Sequence, residues 1–137
     1  MAFFGIFADR KSQDVERFMM KILNHSQLRE SANVNGRQEK RVPIAMGIRV
    51  TPCVQGNKPD PTQSFDAVTK DMHTEGISFT HRRQFGGSER VVITLEHEEI
   101  VSLLCEVQHC SEIGRGMFLT GCAILERLRE PLAAERR

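Results

Sequence analysis

The sequence contains no tryptophan and no tyrosine, and its eight phenylalanines bring the aromatic content to only 6%. Small barrels that bind single-stranded nucleic acid usually combine a basic groove with exposed aromatic rings on which the bases stack. The 19 basic and 18 acidic residues give a formal net charge of +1, so a general basic excess is missing as well. We therefore expect no nucleic-acid partner.

The sequence also lacks a hydrophobic run approaching the ~20 residues that a membrane-spanning helix needs. The apolar residues 1–7 have no basic stretch before them and are followed by Asp9 and Arg10, which is not the pattern of a secretory signal. None of the four cysteines belongs to a C-x-x-C pair, which argues against a structural zinc site. These absences predict a cytoplasmic protein with free thiols, no bound metal and no membrane partner.

No catalytic motif is present: the sequence has no nucleophile elbow, no metal-ligand cluster and no phosphate-binding glycine loop. His109 next to Cys110 is the nearest approach to a nucleophile and base, but the sequence offers no third group to orient the pair. We predict that the protein is not an enzyme and has no cofactor.

A helical pattern occupies residues 13–24. Its apolar residues recur at i, i+3, i+4, i+7 and i+8 and lie on one face: Val15, Phe18, Met19, Ile22 and Leu23. We expect a helix from about Gln13 to Asn24 that packs this face on the rest of the domain or on a second copy of the chain. The polar residues 25–36 predict a linker or mobile loop.

After residue 41 the hydrophobic period changes from helix to strand. Six short segments have the pattern of strands, most of them with apolar residues at every second position: 44–51, 65–71, 77–79, 91–95, 103–108 and 117–124. We expect a loop at 52–61 and turns at 72–76, 96–99 and 114–116, and residues 125–130 could add a short helix. This spacing predicts an all-β fold, an antiparallel barrel or sandwich.

Two short motifs carry residue types suited to a guanine nucleotide. Arg37-x-x-x-Arg41 precedes the first strand, and Asp71-x-x-x-x-Gly76 lies at the turn between the second and third strands. An arginine fork matches the O6 and N7 edge of guanine or a phosphate, and a carboxylate accepts from the guanine N–H groups. Each motif alone is weak evidence for a nucleotide site. Paired arginines also occur in solvated charged turns, and an Asp near a Gly is common at turns.

The order of these motifs resembles the PilZ domain family, bacterial receptors of cyclic di-GMP, whose pattern is R-x-x-x-R followed by D/N-x-S-x-x-G. The later segments 76–79, 105–110 and 117–122 are also similar to strands of that family. The resemblance implies a six-stranded antiparallel PilZ-type β-barrel over residues 37–128. Residues 1–36 would form an N-terminal helix and linker, and residues 129–137 a tail.

The resemblance also implies a function, that of a non-catalytic signalling receptor that binds cyclic di-GMP. Arg37 and Arg41 would clamp phosphates and guanine edges, and Asp71 would accept from guanine. Gly76 would shape the turn, and His73, which replaces the usual serine, would line the pocket. The large ring at residue 73 leaves open an alternative, a degenerate PilZ-fold adaptor that does not bind the nucleotide. Because the sequence shows no effector domain, we expect a protein partner or a second copy of the chain.

Overall fold

The computed structural model describes residues 14–24, 42–55 and 57–132. One α helix, α1 (14–24), precedes the strands in these ranges. The strands are β1 (Gly47–Val54), β2 (Lys58–Pro59), β3 (Phe65–His73), β4 (Gly76–His81), β5 (Arg90–His97), β6 (Glu99–Gly114) and β7 (Met117–Arg127). A single turn of 3-10 helix, Pro61–Gln63, follows β2.

Six of the strands close into an antiparallel barrel. Around the barrel the order is β1, β3, β4, β7, β6 and β5, and the pairing of β1 with β5 completes the ring. The two-residue β2 pairs only with the end of β1 and lies outside this ring. The predicted all-β class and the six-stranded antiparallel barrel are therefore confirmed.

Alternate strand residues point inward and fill the barrel with a single apolar core. Its fully buried members include Phe79, Ile77, Met72, Ile93 and Leu103. Burial is the main driving force for this arrangement, because each large apolar side chain removed from water contributes about 1.5–3 kcal/mol. The strand alternation in the sequence thus identifies the core face correctly.

The four cysteines are free thiols. Cys105 and Cys122 lie in the core, where burial raises the pKa of Cys105 well above its usual range and that of Cys122 to about 12. Both residues therefore behave as small hydrophobic side chains rather than as reactive thiols.

The apolar face of α1 packs on the barrel. All five of its apolar side chains belong to the same core cluster as the strand residues. Arg127, at the end of β7, lies 5.6 Å from the ring centre of Phe18 and pairs with Asp14 at 3.5 Å and Glu99 at 3.3 Å. Of the two predicted surfaces for this helix, the barrel is the one that the structure shows. The described part of the chain contains no helix with the length and hydrophobicity needed to cross a bilayer.

Several strands are longer than the sequence predicts. β3 continues to His73, so Asp71 lies within a strand and not in the turn where the motif was placed. β6 starts at Glu99, which reduces the predicted turn at 96–99 to Glu98 with φ 67°. The observed strands are longer because their cross-strand hydrogen bonds continue up to the tight turns. The polar residues near these turns do not reveal that pairing in the sequence.

The short helix allowed over 125–130 is not formed. β7 extends to Arg127, which pairs with Leu103, and residues 128–132 continue without helix. The predicted loop at 52–61 also contains the end of β1 and the short β2. In both places sheet pairing overrides the local sequence preference.

Candidate ligand-binding site

Arg37 and Arg41, the first motif, lie outside the described residues. The structure resumes at Val42, which forms an isolated antiparallel pair with Met72 of β3. The Val42 N–H donates to the Met72 carbonyl at 2.8 Å, and the Met72 N–H donates to the Val42 carbonyl at 3.0 Å. The residue after the first motif is therefore hydrogen-bonded to the residue between Asp71 and His73.

A second attachment holds the same entering segment against β3. The hydroxyl of Thr69 donates to the Ile44 carbonyl and accepts from the Met46 N–H at 3.0 Å. The Thr69 N–H in turn donates to the Met46 carbonyl at 3.0 Å. Because Thr69 is buried, these bonds are shielded from water. Residues 42–46 are thus fixed along β3 on both sides of Asp71.

A bulge in β3 decides which way the second motif faces. The register with β4 shifts between Thr69 and Asp71, with the exposed Lys70 as the extra residue. Thr69 and Met72 are both buried, and strict alternation would have placed Asp71 and His73 on the inner face with Thr69. The bulge places both on the outer face instead, as β-bulges commonly re-aim side chains.

The hairpin after β3 folds His73 back onto Gly76. The two residues are paired across a two-residue turn, and Nδ1 of His73 accepts from the Glu75 N–H at 3.3 Å. A Cβ atom on Gly76 would lie 2.7 Å from Nε2 of His73 and 2.9 Å from the carbonyl oxygen of Cys122. Gly76 itself opens β4 and does not have a left-handed φ. Close contact, rather than an unusual dihedral angle, therefore requires glycine here.

A second histidine lies on the same outer face. One row of paired residues crosses the sheet from Asp71 to Ser78, Gly121 and His109. The ring of His109 covers Gly121 as that of His73 covers Gly76, and a Cβ on Gly121 would clash with its Nε2, Cε1 and Cδ2 atoms. The sequence motifs did not single out His109 as a site residue. A glycine inside a strand, which often marks a close approach, is the feature that could have found it.

His109 and Cys110 do not form a catalytic pair. His109 is exposed on the outer face, whereas Cys110 packs against the core and its sulfur accepts from the Phe85 N–H at 3.4 Å. Adjacent residues of a strand point to opposite faces, so the imidazole and the thiol are separated by the sheet. Among the described residues, no group of three or more His, Cys, Asp or Glu side chains is arranged to hold a metal ion.

His81 points inward and has a structural environment. It is buried, and its ring lies 5.0 Å from that of Phe79 and 5.2 Å from that of Phe85. Nδ1 accepts from the Arg83 N–H at 3.2 Å, so the neutral ring carries its proton on Nε2, which bonds Oγ1 of Thr120 at 2.6 Å. Burial, with a smaller effect from the Arg83 charge, lowers the pKa of His81 to about 4.

A groove of about 900 Å³ lies elsewhere, across β1 and its neighbours. Its lining includes Val68, Ile100 and Leu132, together with the Arg49–Asp66 ion pair at 3.0 Å. None of the three described motif residues lines it. The groove is therefore separate from the outer surface that carries Asp71, His73 and Gly76.

No protein-family model matches the sequence, and no curated protein is similar enough to count as a relative. Among solved structures, the chain is similar to the Bacillus subtilis inhibitor of motility, MotI/DgrA, with a TM-score of 0.52 and 12% sequence identity. The similarity covers 70% of this chain but only 46% of that one, so the chain spans less than half of the other's length. This likeness concerns the fold and is consistent with the PilZ-like barrel that the motifs predict.

Proposed function

We propose that the protein is a non-catalytic, PilZ-type receptor for cyclic di-GMP. The observation that carries this proposal is the pairing of Val42 with Met72. It attaches the chain directly after Arg41 to the strand that presents Asp71 and His73. The residue that follows the first motif is thus held beside the second motif, which supports a ligand site shared by the two.

The chemistry of the two motifs is complementary to the ligand. Arg41 directly precedes Val42 in the sequence. Arg37 and Arg41 would bind phosphates or the guanine O6 and N7 edge through their planar forks. Asp71, half-buried on the outer face, would accept from the guanine N1–H and N2–H groups. The site offers binding groups of both kinds and needs no cofactor.

A regulatory role agrees with the comparison of structures. The Bacillus subtilis protein of similar fold is named an inhibitor of motility, which favours regulation over catalysis for this chain. In this proposal the receptor acts in the cytoplasm. Its signal passes to a protein partner or to a second copy of the chain.

One observation favours the alternative, an adaptor of the same fold that does not bind the nucleotide. The ring of His73 fills the space above Gly76. In the family pattern the residue at this position, two after the aspartate, is a serine. If this ring stays in place when nucleotide is offered, guanine cannot approach the backbone of Gly76. The outer face would then serve as a protein-binding surface only.

The arginines provide the test of the receptor proposal. We expect Arg37→Ala and Arg41→Ala each to weaken cyclic di-GMP binding by roughly tenfold to a hundredfold, because a charge-assisted bond contributes about 1.5–3 kcal/mol. Replacement by lysine should restore only part of the affinity, since the fork is lost. Arg82→Ala, which removes an exposed arginine after β4, is the matched control. Calorimetry with an unchanged dissociation constant in either motif variant would remove that arginine from the site.

A further inference from the structure

We infer that His109 is a second ligand-contacting imidazole and that His73 and His109 together bracket one phosphate of the bound nucleotide. This inference rests on the proposed receptor function and extends it to a strand that the sequence motifs do not reach. It follows from the positions of the two rings on the outer face of the sheet.

Each ring lies over a glycine of a central strand. On the outer face of the sheet, the His73 ring extends from β3 over Gly76 of β4. The His109 ring extends from β6 over Gly121 of β7. Since β4 and β7 are neighbours, the two rings approach each other from opposite sides of the same surface. Their Nε2 atoms are the ones nearest to the two glycines.

The spacing of the glycines gives the spacing of the rings. Gly76 pairs with Ala123 and Gly121 pairs with Ser78, so the two glycines are diagonal neighbours in the sheet. Diagonal cross-strand neighbours are roughly 7–8 Å apart. Each Nε2 lies within 2.7 Å of the position that a Cβ of its glycine would take, so we place the two Nε2 atoms roughly 7–8 Å apart, as the glycines are.

A phosphate fits between two donors at this separation. Charge-assisted N–H···O bonds are about 2.8 Å long, so the two nitrogens can each reach a different oxygen of one phosphate. A single metal ion does not fit, because its bonds to imidazole nitrogen are only about 2.0–2.1 Å. The spacing thus selects an oxyanion over a metal.

His73 is already oriented as a donor. Its Nδ1 accepts from the Glu75 N–H, so the neutral ring carries its proton on Nε2, the atom above Gly76. Protonation of Nδ1 would break that bond but leave the Nε2–H donor in place and add positive charge. A donor therefore faces the proposed phosphate position in either state of the ring.

Within the described ranges, few charged groups lie near the two rings on the strands that carry them and on the strands beneath. Asp71 lies beside His73 on β3, and Glu75 lies in the turn next to it. On β6, Glu106 is within 3.9 Å of Arg90, which offsets its charge. The residues of β4 and β7 beneath the rings carry no charge: Gly76, Ser78, Gly121 and Ala123. Asp71, already assigned to guanine, is thus the main carboxylate that an incoming phosphate would meet.

The test combines a variant with a spectroscopic readout. At pH 6 we expect His109→Ala to bind cyclic di-GMP roughly tenfold more weakly than the wild type, the effect of losing one charge-assisted bond. His109→Gln, which keeps a neutral donor, should recover part of the loss. His97→Ala, at the β5–β6 turn, is the control and should match the wild type. In the unmodified protein, ring ¹⁵N resonances of His73 and His109 should shift on addition of cyclic di-GMP, whereas those of His97 should not.

The outcomes separate the two proposals. If the wild type binds cyclic di-GMP while His109→Ala keeps full affinity and the His109 ring resonances stay unmoved, this inference is wrong and the receptor proposal stands. If neither the wild type nor His73→Ser binds, both are wrong. The NMR measurement uses the unaltered chain, so poor folding of a variant cannot decide the result.

Discussion

The imidazole ring of His73 occupies the position that a side chain on Gly76 would need. A Cβ there would lie 2.7 Å from Nε2 of His73 on one side and 2.9 Å from the carbonyl oxygen of Cys122 on the other. The ring can rotate away, but the carbonyl belongs to the backbone of β7 and is fixed by sheet pairing. The glycine of the second motif therefore has a structural reason that is independent of any ligand.

Gly76→Ala should destabilise the barrel. We expect a loss of about 1–3 kcal/mol in the free energy of unfolding, because the added methyl group overpacks a site with a backbone wall. Gly47→Ala is the matched control, since Gly47 also opens a strand and a Cβ there meets nothing within 4 Å. Urea denaturation of both variants measures the difference. Equal stability of Gly76→Ala and the wild type would mean that β4 and β7 can separate at little cost.

His81 should make the barrel sensitive to acid. Burial lowers its pKa from the ordinary value of 6.5 to about 4, so the unfolded chain binds the proton before the folded chain does. The stabilising contribution is therefore complete above pH 6.5 and is lost as the pH falls toward 4. We expect the loss to be about 2 kcal/mol, allowing for partial solvent screening.

The variant His81→Gln isolates this effect from that of the carboxylates. Its free energy of unfolding should fall less between pH 7 and pH 4.5 than that of the wild type. The difference between the two decreases measures the contribution of His81 protonation to the loss of stability. Parallel pH profiles for the two proteins would show that the pKa of His81 is the same in the folded and the unfolded chain.

The sequence pattern predicted an antiparallel barrel or sandwich and the inward face of its strands, and the resemblance to the PilZ family selected the six-stranded barrel. Residues such as Ile48 and Val50 alternate with less hydrophobic neighbours, and burial of one face is the dominant energetic term in a small barrel. The strand ends were harder to predict. At β3 and β6 they depend on cross-strand partners that are distant in sequence.

The site was predicted less completely than the barrel. Strict alternation would have pointed Asp71 inward, and only the bulge after Thr69 places it outside. The contact between His73 and Gly76 depends on a ring rotamer, and the position of His109 depends on the register of β6 against β7. Register and rotamer are properties of the assembled sheet, and a linear motif does not contain them.

The central claim is that the outer face of β3 and β4 belongs to a cyclic di-GMP receptor. The most direct measurement is a calorimetric titration of the wild type and of His73→Ser with cyclic di-GMP at pH 6 and pH 8. We predict measurable binding by the wild type at both pH values, because the Nε2–H donor of His73 is present in either state of the ring. His73→Ser, which replaces the Nε2–H donor with a short hydroxyl, should bind more weakly than the wild type.

Two results would contradict this account in different ways. Binding by His73→Ser but not by the wild type at either pH would show that the ring blocks the site, and the adaptor alternative would replace the receptor. Absence of binding by both proteins would show that the arginine and aspartate motifs no longer serve a nucleotide. Saturable binding by the wild type that is weakened in His73→Ser is the result that the receptor account predicts.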